Sequence, residues 1–305
     1  MVSPAPVPSS LNSFALPGSL PIPKFIAEIG CNHRGDVETA KQMMVVAKTC
    51  GADVVKFQKR HSRELLTPEQ YNAPYENINS YGKTYGEHRE FLEFDLETHA
   101  KLKSYAEEHG VEYSTSVWDL TSARELTSLK PGLLKVPSAC NNHVAMLKVL
   151  RDEFEGEVHI SVGMSTEEEI ETAVEVFQSC PHRVVLYSCT SGYPVPFDDV
   201  CLLEIVRLIQ KYKNTGRVGA IGFSGHHNGI AIDSIATVLG ASFIERHFTL
   251  DRAWKGSDHS ASLEPSGFSR LTRDIKHLGQ AWTFRSAELL PIELPQREKL
   301  KFRPR

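Results

Sequence analysis

Two histidines, His226 and His247, stand at the ends of short apolar runs in the last third of the chain. Two neutral imidazoles, completed by water or by a carboxylate, can form an open site for a divalent metal. Either histidine taken alone is more often a structural, hydrogen-bonded residue. The metal hypothesis therefore requires a fold that brings both rings to one place.

Other polar side chains lie inside or directly after apolar runs along the whole chain. Lys56 and Lys135, with serines nearby, indicate a site for an anion such as phosphate or carboxylate. For each residue alone, a paired charge or an exposed strand end is the simpler interpretation. No GxxxxGK[ST] or GxGxxG motif supports nucleotide binding. The further candidates are Glu28, Gln58, Ser116, Ser138, Ser161, Ser191, Tyr193 and Ser224.

Acidic residues accompany the second histidine. Glu245 is a neighbour of a metal, a base, or a partner for Arg246. Asp258 follows a glycine and a serine that favour a loop, where it is either an acid/base or hydroxyl-binding group or part of an ordinary solvated loop.

These residues need elements that direct them to one face. Short apolar runs alternate with amphipathic stretches, which predicts eight βα units and a single (β/α)₈ TIM barrel with a catalytic face at the carboxyl ends of its strands. A doubly wound open sheet is the alternative, because a count of units does not establish closure. The predicted strands are Phe25–Gly30, Asp53–Gln58, Glu112–Val117, Leu133–Ser138, Val158–Gly163, Arg183–Cys189, Arg217–Ser224 and Phe243–Thr249.

Between the strands, helical periodicity predicts five clear helices. They cover Val37–Cys50, Leu96–His109, Thr166–Gln178, Asp198–Tyr212 and Pro265–Trp282. Residues 60–94 form a long polar connection of weak periodicity, typical of a functional lid or a disordered loop. The predicted organisation is an N-terminal arm (1–24), a catalytic barrel (25–284) and a C-terminal tail (285–305).

Composition narrows the class of function. The chain has 305 residues and a net charge of −4, which gives no reason to expect a nucleic acid or an anionic membrane as a partner. Its six cysteines form no CxxC pair, and the proline-rich N-terminus has no basic region of the kind that begins a signal peptide. We expect a cytoplasmic protein that acts on small molecules.

Several motifs together resemble the sialic acid synthases. They are Ala27-Glu28-Ile29-Gly30-Cys31-Asn32-His33, Val55-Lys56-Phe57-Gln58, Ser188-Cys189-Thr190, Tyr193-Pro194, Ser224-Gly225-His226, Glu245-Arg246-His247 and the segment from Trp254 to Pro265. The resemblance covers roughly residues 25–282 and implies a (β/α)₈ barrel. It implies a transferase that condenses phosphoenolpyruvate with an open-chain hexose, which is N-acetylmannosamine, its 6-phosphate or mannose. The products are a nonulosonic acid and phosphate.

The same resemblance implies a role for each site residue. His226 and His247 match ligands of manganese, with magnesium as the alternative metal, which polarises the aldehyde that C3 of phosphoenolpyruvate attacks. Glu28, Lys56, Gln58, Tyr193, Glu245 and Asp258 match catalytic positions around the sugar and the metal. The positions that match phosphoenolpyruvate contacts are Lys56, Ser116, Lys135, Ser138, Ser161, Ser191 and Ser224.

Two departures from that family pattern concern the acceptor sugar. Cys140 replaces the acidic residue usual after the fourth strand, and we assign Cys140 and Lys255 to contact with the sugar. The C-terminal antifreeze-like domain of many relatives is expected to be lacking, and a homodimer is a further expectation. The alternatives are a synthase of another 2-keto-3-deoxy sugar acid and an inactive barrel that binds a sugar phosphate.

Overall fold

Eight parallel strands form a closed barrel in the computed structural model, which describes residues 19–303. Each strand pairs with the next along the chain, and β8 pairs with β1 through Lys24↔Phe243 to Glu28↔His247. The structure therefore confirms the predicted barrel and excludes the open sheet. Residues 1–18 of the predicted arm lie outside the described residues. The strands are β1 Lys24–Gly30, β2 Val54–Lys59, β3 Glu112–Val117, β4 Leu133–Val136, β5 Glu157–Ser161, β6 Val184–Cys189, β7 Ala220–Gly225 and β8 Phe243–His247.

Helices α1 to α10 connect these strands on the outside of the barrel, and α11 and α12 follow the last strand. They are α1 Val37–Thr49, α2 Ser62–Leu65, α3 Pro68–Asn72, α4 Tyr85–Leu92, α5 Leu96–Glu108, α6 Leu120–Ser128, α7 Val144–Glu153, α8 Glu167–Val176, α9 Glu204–Leu208, α10 Ala231–Val238, α11 Pro265–Ala281 and α12 Leu294–Leu300. Four of the five predicted helices are confirmed to within two residues at each end. The prediction of one helix over Asp198–Tyr212 was wrong, because a 3₁₀ turn, α9 and a π-helical turn share that stretch.

The segment 60–94 is not a structureless loop. It contains α2, α3 and α4, all too short to show amphipathic periodicity clearly. Capping boxes begin two of these helices, at Thr67 with Gln70 and at Thr84 with Glu87. Each box satisfies backbone N–H groups that a short helix otherwise leaves unpaired.

Inside the barrel, side chains below the polar rim form a separate apolar layer. Its members are Ile26, Val54, Leu133, Val185, Tyr187 and Phe243. Gly222 leaves room for this layer, because a Cβ at that position would lie 2.6 Å from the Tyr187 ring. The Tyr187 ring in turn lies 3.7 Å from the Nζ of Lys135, so packed aromatic surface supports the charged rim from below.

An ion pair on the outer surface of the barrel holds the last two strands, β7 and β8, in place. Arg246 is fully buried, and its Nη1 lies 2.6 Å from Oδ2 of Asp233 on α10. The same guanidinium donates to the carbonyl oxygens of His227 and Gly229. Because side chains alternate along a strand, Arg246 faces outward while Glu245 and His247 on either side of it face the barrel interior.

No helix among residues 19–303 is long and apolar enough to cross a membrane. All six cysteines, each within that range, are free thiols. Beyond α11, the predicted C-terminal tail contains a 3₁₀ turn at Pro291–Glu293 and the short helix α12.

The buried pair yields a prediction about stability. Arg246→Ala should lower the free energy of unfolding by about 3–5 kcal/mol, because Asp233 would stay buried without its guanidinium partner and, among the described residues, with only His227 near its carboxylate. Urea denaturation followed by circular dichroism measures the change. The control Arg273→Ala removes an exposed ion pair with Asp274 and should change stability by less than about 0.5 kcal/mol. A loss below about 1 kcal/mol for Arg246→Ala would contradict the assigned role.

Candidate active site

A cavity of about 480 Å³ opens at the carboxyl ends of the strands, where active sites of TIM barrels lie. Its volume is within the range of small-molecule sites. The structure brings fourteen of the sixteen predicted site residues to its wall. They are Glu28, Lys56, Gln58, Ser116, Lys135, Ser138, Ser161, Ser191, Tyr193, Ser224, His226, Glu245, His247 and Asp258.

Two lysines and two glutamates form the base of this cavity. Lys135 donates to both carboxylate oxygens of Glu245, at 3.0 and 2.9 Å, and Ser224 donates to one of them at 2.9 Å. Lys56 forms an ion pair with Glu28 and lies 3.7 Å from Glu245. Glu245 therefore pairs with Lys135 across the barrel, and the hypothesis that it pairs with Arg246 was wrong.

The buried charges shift one another's protonation. Burial opposes ionisation of Glu245, but Lys135 and Lys56 outweigh it and hold the pKa of Glu245 well below its usual value. Burial raises the pKa of Glu28, and Lys56 offsets only part of this effect. Burial also lowers the pKa of Lys135, and the negative charge of Glu245 offsets part of this shift. Glu245 is thus a fixed anion, whereas Glu28 is the carboxyl group that can hold a proton.

Serine hydroxyl groups line the side of the cavity formed by β4, β5 and β6. The backbone N–H of Gly163 donates to Oγ of Ser138 at 3.1 Å. A Cβ at Gly163 would lie 2.6 Å from Oγ of Ser191 and 2.9 Å from Oγ of Ser138. The absence of a side chain at Gly163 therefore leaves a small space between two hydroxyl groups, with Ser161 on the same wall.

The two histidines face each other at the mouth. Their ring centroids are 5.5 Å apart, and Tyr193 lies 4.3 Å from the ring of His226 and 5.8 Å from that of His247. Nδ1 of His226 lies 2.9 Å from the carbonyl oxygen of Thr190. A neutral ring donates in this contact and keeps its lone pair on Nε2, the form that binds a metal.

His247 also suits a metal. Burial lowers the pKa of His247, and the negative charge of Asp258 offsets part of this shift. The lowered pKa favours the neutral ring. Its Nδ1 is buried without a hydrogen-bond partner among the described residues and lies 4.0 Å from Oδ2 of Asp258. Within residues 19–303, no three His, Cys, Asp or Glu side chains are grouped to hold a metal. A metal here would take two imidazoles and complete its coordination with water or substrate.

Two residues assigned to the acceptor sugar are not at the cavity wall. The 3₁₀ turn Ser138–Cys140 directs Cys140 into the hydrophobic core, where it is buried, and Ala139 lines the cavity instead. Lys255 is exposed and extends over the ring of Tyr81, with its Nζ 4.7 Å from the ring centroid. Neither residue lines the cavity, so the structure does not support their assignment to sugar contact.

Several residues that line the cavity were not among the predicted site residues. Arg60, Trp118 and Cys189 directly follow or end strands, so a wider window at each strand end would have included them. Arg89 lies on α4 inside the segment of weak periodicity. Only the capping box at Thr84 could have indicated that helix.

Comparison with known proteins agrees with the fold and shows the family. The NeuB family model matches residues 43–285. The chain belongs to the NeuB family. Human N-acetylneuraminate-9-phosphate synthase is 39% identical over 275 residues, which are 90% of this chain and 75% of that protein. The N,N'-diacetyllegionaminic acid synthase of Campylobacter jejuni is 33% identical over 84% of this chain and 76% of its own length.

A solved structure of a NeuB relative shares the architecture. The sialic acid synthetase from Leptospira borgpetersenii, solved with citrate, superposes with a TM-score of 0.74 at 27% identity and covers 93% of both chains. The resemblance to sialic acid synthases is therefore confirmed at the level of family and fold.

The space at Gly163 yields a prediction about anion binding. Gly163→Ala should weaken binding of phosphoenolpyruvate roughly 10- to 100-fold, because the methyl group displaces hydroxyl groups that would donate to an anion. Isothermal titration calorimetry measures the affinity. Gly267→Ala is the matched control, since a Cβ there meets only ordinary contacts at 3.5 Å. Equal affinity of Gly163→Ala and the unmodified protein would refute the anion-binding role of this wall.

Proposed function

We propose that this protein condenses phosphoenolpyruvate with an open-chain hexose to form a sialic-type nonulosonic acid and inorganic phosphate. Its NeuB relatives are named as synthases of sialic and legionaminic acids, which supports a synthase of this type. The observation that carries the proposal is one cavity with two buried lysines and a serine wall beside a pair of facing histidines. The first group suits a multiply charged anion and the second suits a polarised aldehyde.

In this proposal, the serine wall and the lysines bind phosphoenolpyruvate. Ser138, Ser161 and Ser191 donate to the phosphate or the carboxylate, and Lys56 and Lys135 neutralise its charge. Both lysines are only 2% exposed, so their attraction for the anion is weakly screened by solvent. Ser116 accepts a hydrogen bond from Lys56 at 2.9 Å, and Ser224 donates to Glu245. These two serines therefore orient the charged groups of Lys56 and Glu245 through hydrogen bonds.

The acceptor aldehyde would lie between Tyr193, the histidines and Asp258. A divalent cation held by His226 and His247, manganese by the family resemblance or magnesium as the alternative, would polarise the aldehyde oxygen. The new bond joins C3 of phosphoenolpyruvate to the aldehyde carbon, water adds at C2, and the C–O bond to phosphate breaks.

Proton transfer in this reaction falls to Glu28. Its raised pKa lets it hold or release a proton closer to neutral pH than an ordinary glutamate. Gln58 donates to Glu28 at 3.0 Å and fixes the orientation of the carboxyl group.

The overall reaction is tested directly with pure protein, phosphoenolpyruvate, manganese and one hexose at a time. N-acetylmannosamine, its 6-phosphate and mannose are the acceptors to compare. Release of one phosphate per sugar acid formed is expected, and mass spectrometry of the product identifies the acceptor. A different 2-keto-3-deoxy acid would indicate a related synthase. Absence of phosphate release with every hexose would refute the proposed synthase and favour the alternative of an inactive barrel that binds a sugar phosphate.

The metal assignment has a separate test. His226→Ala should weaken binding of Mn²⁺ roughly 10- to 100-fold and reduce metal-dependent turnover, because one of two imidazole ligands is lost. Electron paramagnetic resonance of free Mn²⁺ measures binding without a need for activity. His277→Ala removes an exposed histidine on α11 and is the control. Unchanged Mn²⁺ affinity in His226→Ala would contradict the assignment.

A further inference from the structure

A histidine and a tyrosine inside the barrel, below the cavity, have no part in the proposed reaction. His159 on β5 and Tyr187 on β6 are both fully buried, and Nδ1 of His159 lies 2.8 Å from the hydroxyl group of Tyr187. The ring of Phe243 packs against His159, with centroids 4.7 Å apart. Because apolar branched side chains normally fill the inside of a TIM barrel, this polar pair replaces packing that would need no hydrogen bonds.

The hydrogen bonds of this pair have a defined direction. Nε2 of His159 lies 3.3 Å from Oε2 of Glu157, which is partly exposed at the amino end of β5. The hydrogen bond from His159 lowers the pKa of Glu157, and burial lowers the pKa of His159, so an anion faces a neutral ring. Burial raises the pKa of Tyr187, whose hydroxyl group therefore keeps its proton. Nε2 then donates to Glu157, and Nδ1 accepts the hydrogen bond that Tyr187 donates.

The face of the Tyr187 ring, and not its hydroxyl group, is directed at the active site. Nζ of Lys135 lies 3.7 Å from the centroid of this ring, within the distance of a cation–π contact. The hydrogen bond to His159 fixes the orientation of the ring. Successive hydrogen bonds also polarise one another, so the anion Glu157 increases the electron density of the phenol on which the ammonium group lies.

The two lysines of the cavity base differ in how fully their charge is compensated. Lys56 lies within ion-pair distance of both Glu28 and Glu245, whereas Lys135 has Glu245 alone among residues 19–303. Burial opposes the charge of Lys56, but Glu245 and Glu28 outweigh it and raise the pKa of Lys56. At Lys135 burial dominates and lowers the pKa. Lys135 is therefore the cation that depends on a further contact, and the ring of Tyr187 supplies one.

The titratable groups that face Lys135 come from four strands. Glu245 on β8 and Cys189 on β6 favour its charge, and Lys56 on β2 opposes it. The remaining two are uncharged, namely His159 on β5 and Tyr187. An anion that enters from the mouth competes with Glu245 for the N–H groups of Lys135. It does not compete with the ring, which lies below the ammonium group.

We propose that Tyr187, oriented by His159 and Glu157, is a positioning residue that keeps Lys135 charged and directed at the cavity for the binding of an anion. The inference rests on the proposed function, in which that anion is phosphoenolpyruvate. Lys135 can transfer an N–H group from Glu245 to the ligand because the ring holds the ammonium group from below throughout. The buried pair thus acts on the ligand through Lys135 and does not touch it.

The first test follows the titration of Lys135 in the protein without a ligand. Nuclear magnetic resonance of protein labelled with ¹³C at Cε of lysine reports the pH at which each lysine loses its proton, and Lys135→Met identifies the resonance. Tyr187→Phe is compared with the same variant made with 4-fluorophenylalanine, which keeps the shape of the ring while fluorine withdraws electrons from its face. Lys135 should lose its proton at a lower pH in the fluorinated protein, and at a still lower pH in Tyr187→Leu.

Binding of phosphoenolpyruvate gives a second measurement. In calorimetric titrations at alkaline pH, Tyr187→Leu should weaken the affinity roughly 2- to 30-fold, the range that cation–π contacts contribute. The loss should be smaller at neutral pH, where more of Lys135 is charged. In turnover, KM for phosphoenolpyruvate should rise while kcat changes little, because the ring acts on binding of the anion.

Tyr113→Leu is the matched control. Tyr113 is also a buried tyrosine bonded to a histidine, with its hydroxyl group 2.6 Å from Nδ1 of His99. Its ring belongs to the core outside the barrel and stacks on Phe57. Loss of this ring removes a similar amount of packing without a change beneath Lys135, so the titration of Lys135 should stay as in the unmodified protein.

The outcomes separate this role from the reaction. The inference is overturned if Lys135 titrates at the same pH with phenylalanine and with 4-fluorophenylalanine, or if Tyr113→Leu shifts its titration as much as Tyr187→Leu. If Lys135 responds to the ring as expected but phosphoenolpyruvate neither binds nor releases phosphate, the role of Tyr187 toward Lys135 stands and the proposed function falls. If phosphate is released with a hexose while Lys135 titrates alike in every variant, the reaction stands without this role.

Discussion

The cluster of Lys56, Lys135, Glu28 and Glu245 is the constraint on which the rest of the site depends. Four ionisable groups lie almost completely buried inside a barrel, where an unpaired charge is costly. Each lysine forms an ion pair with a glutamate, so the net charge at the base of the cavity is close to zero without a ligand. The same lysines can then share their charge with an anion that enters. Closure of the barrel is required for this arrangement, because β8 must return beside β1 to place Glu245 near residues of β1 and β2.

Packing on both sides of β8 supports this cluster. On the inner side, the absence of a side chain at Gly222 admits the Tyr187 ring, which lies beneath Lys135. On the outer side, Arg246 fastens β8 to α10 through Asp233. The alternation of side chains along one strand thus directs Glu245 into the cavity and its neighbour Arg246 into the packing against α10. Glu245 and His247 keep their positions because the backbone between them is fixed from outside.

The connections after the strands complete the cavity above this base. The segment 60–94 and the loop around Lys255–Asp258 are hydrogen-bonded to each other above the strands. In TIM barrels, such connections vary more easily than the strands because they carry little of the core packing. The cavity therefore combines a base built on the strands with an upper wall built on the connections. Arg60 and Arg89, both in the segment 60–94, belong to this upper wall.

The sequence by itself determined the eight βα units, the bounds of four helices and the identity of fourteen residues at the cavity wall. These features follow from local periodicity and from the rule that strand ends meet at one face of a barrel. Only the tertiary structure decided that Glu245 pairs with Lys135, 110 residues away in sequence, and that Cys140 points into the core. It also decided that Arg89 reaches the cavity. The physical reason is that side-chain direction and loop packing depend on contacts between distant segments, which no local pattern of residues records.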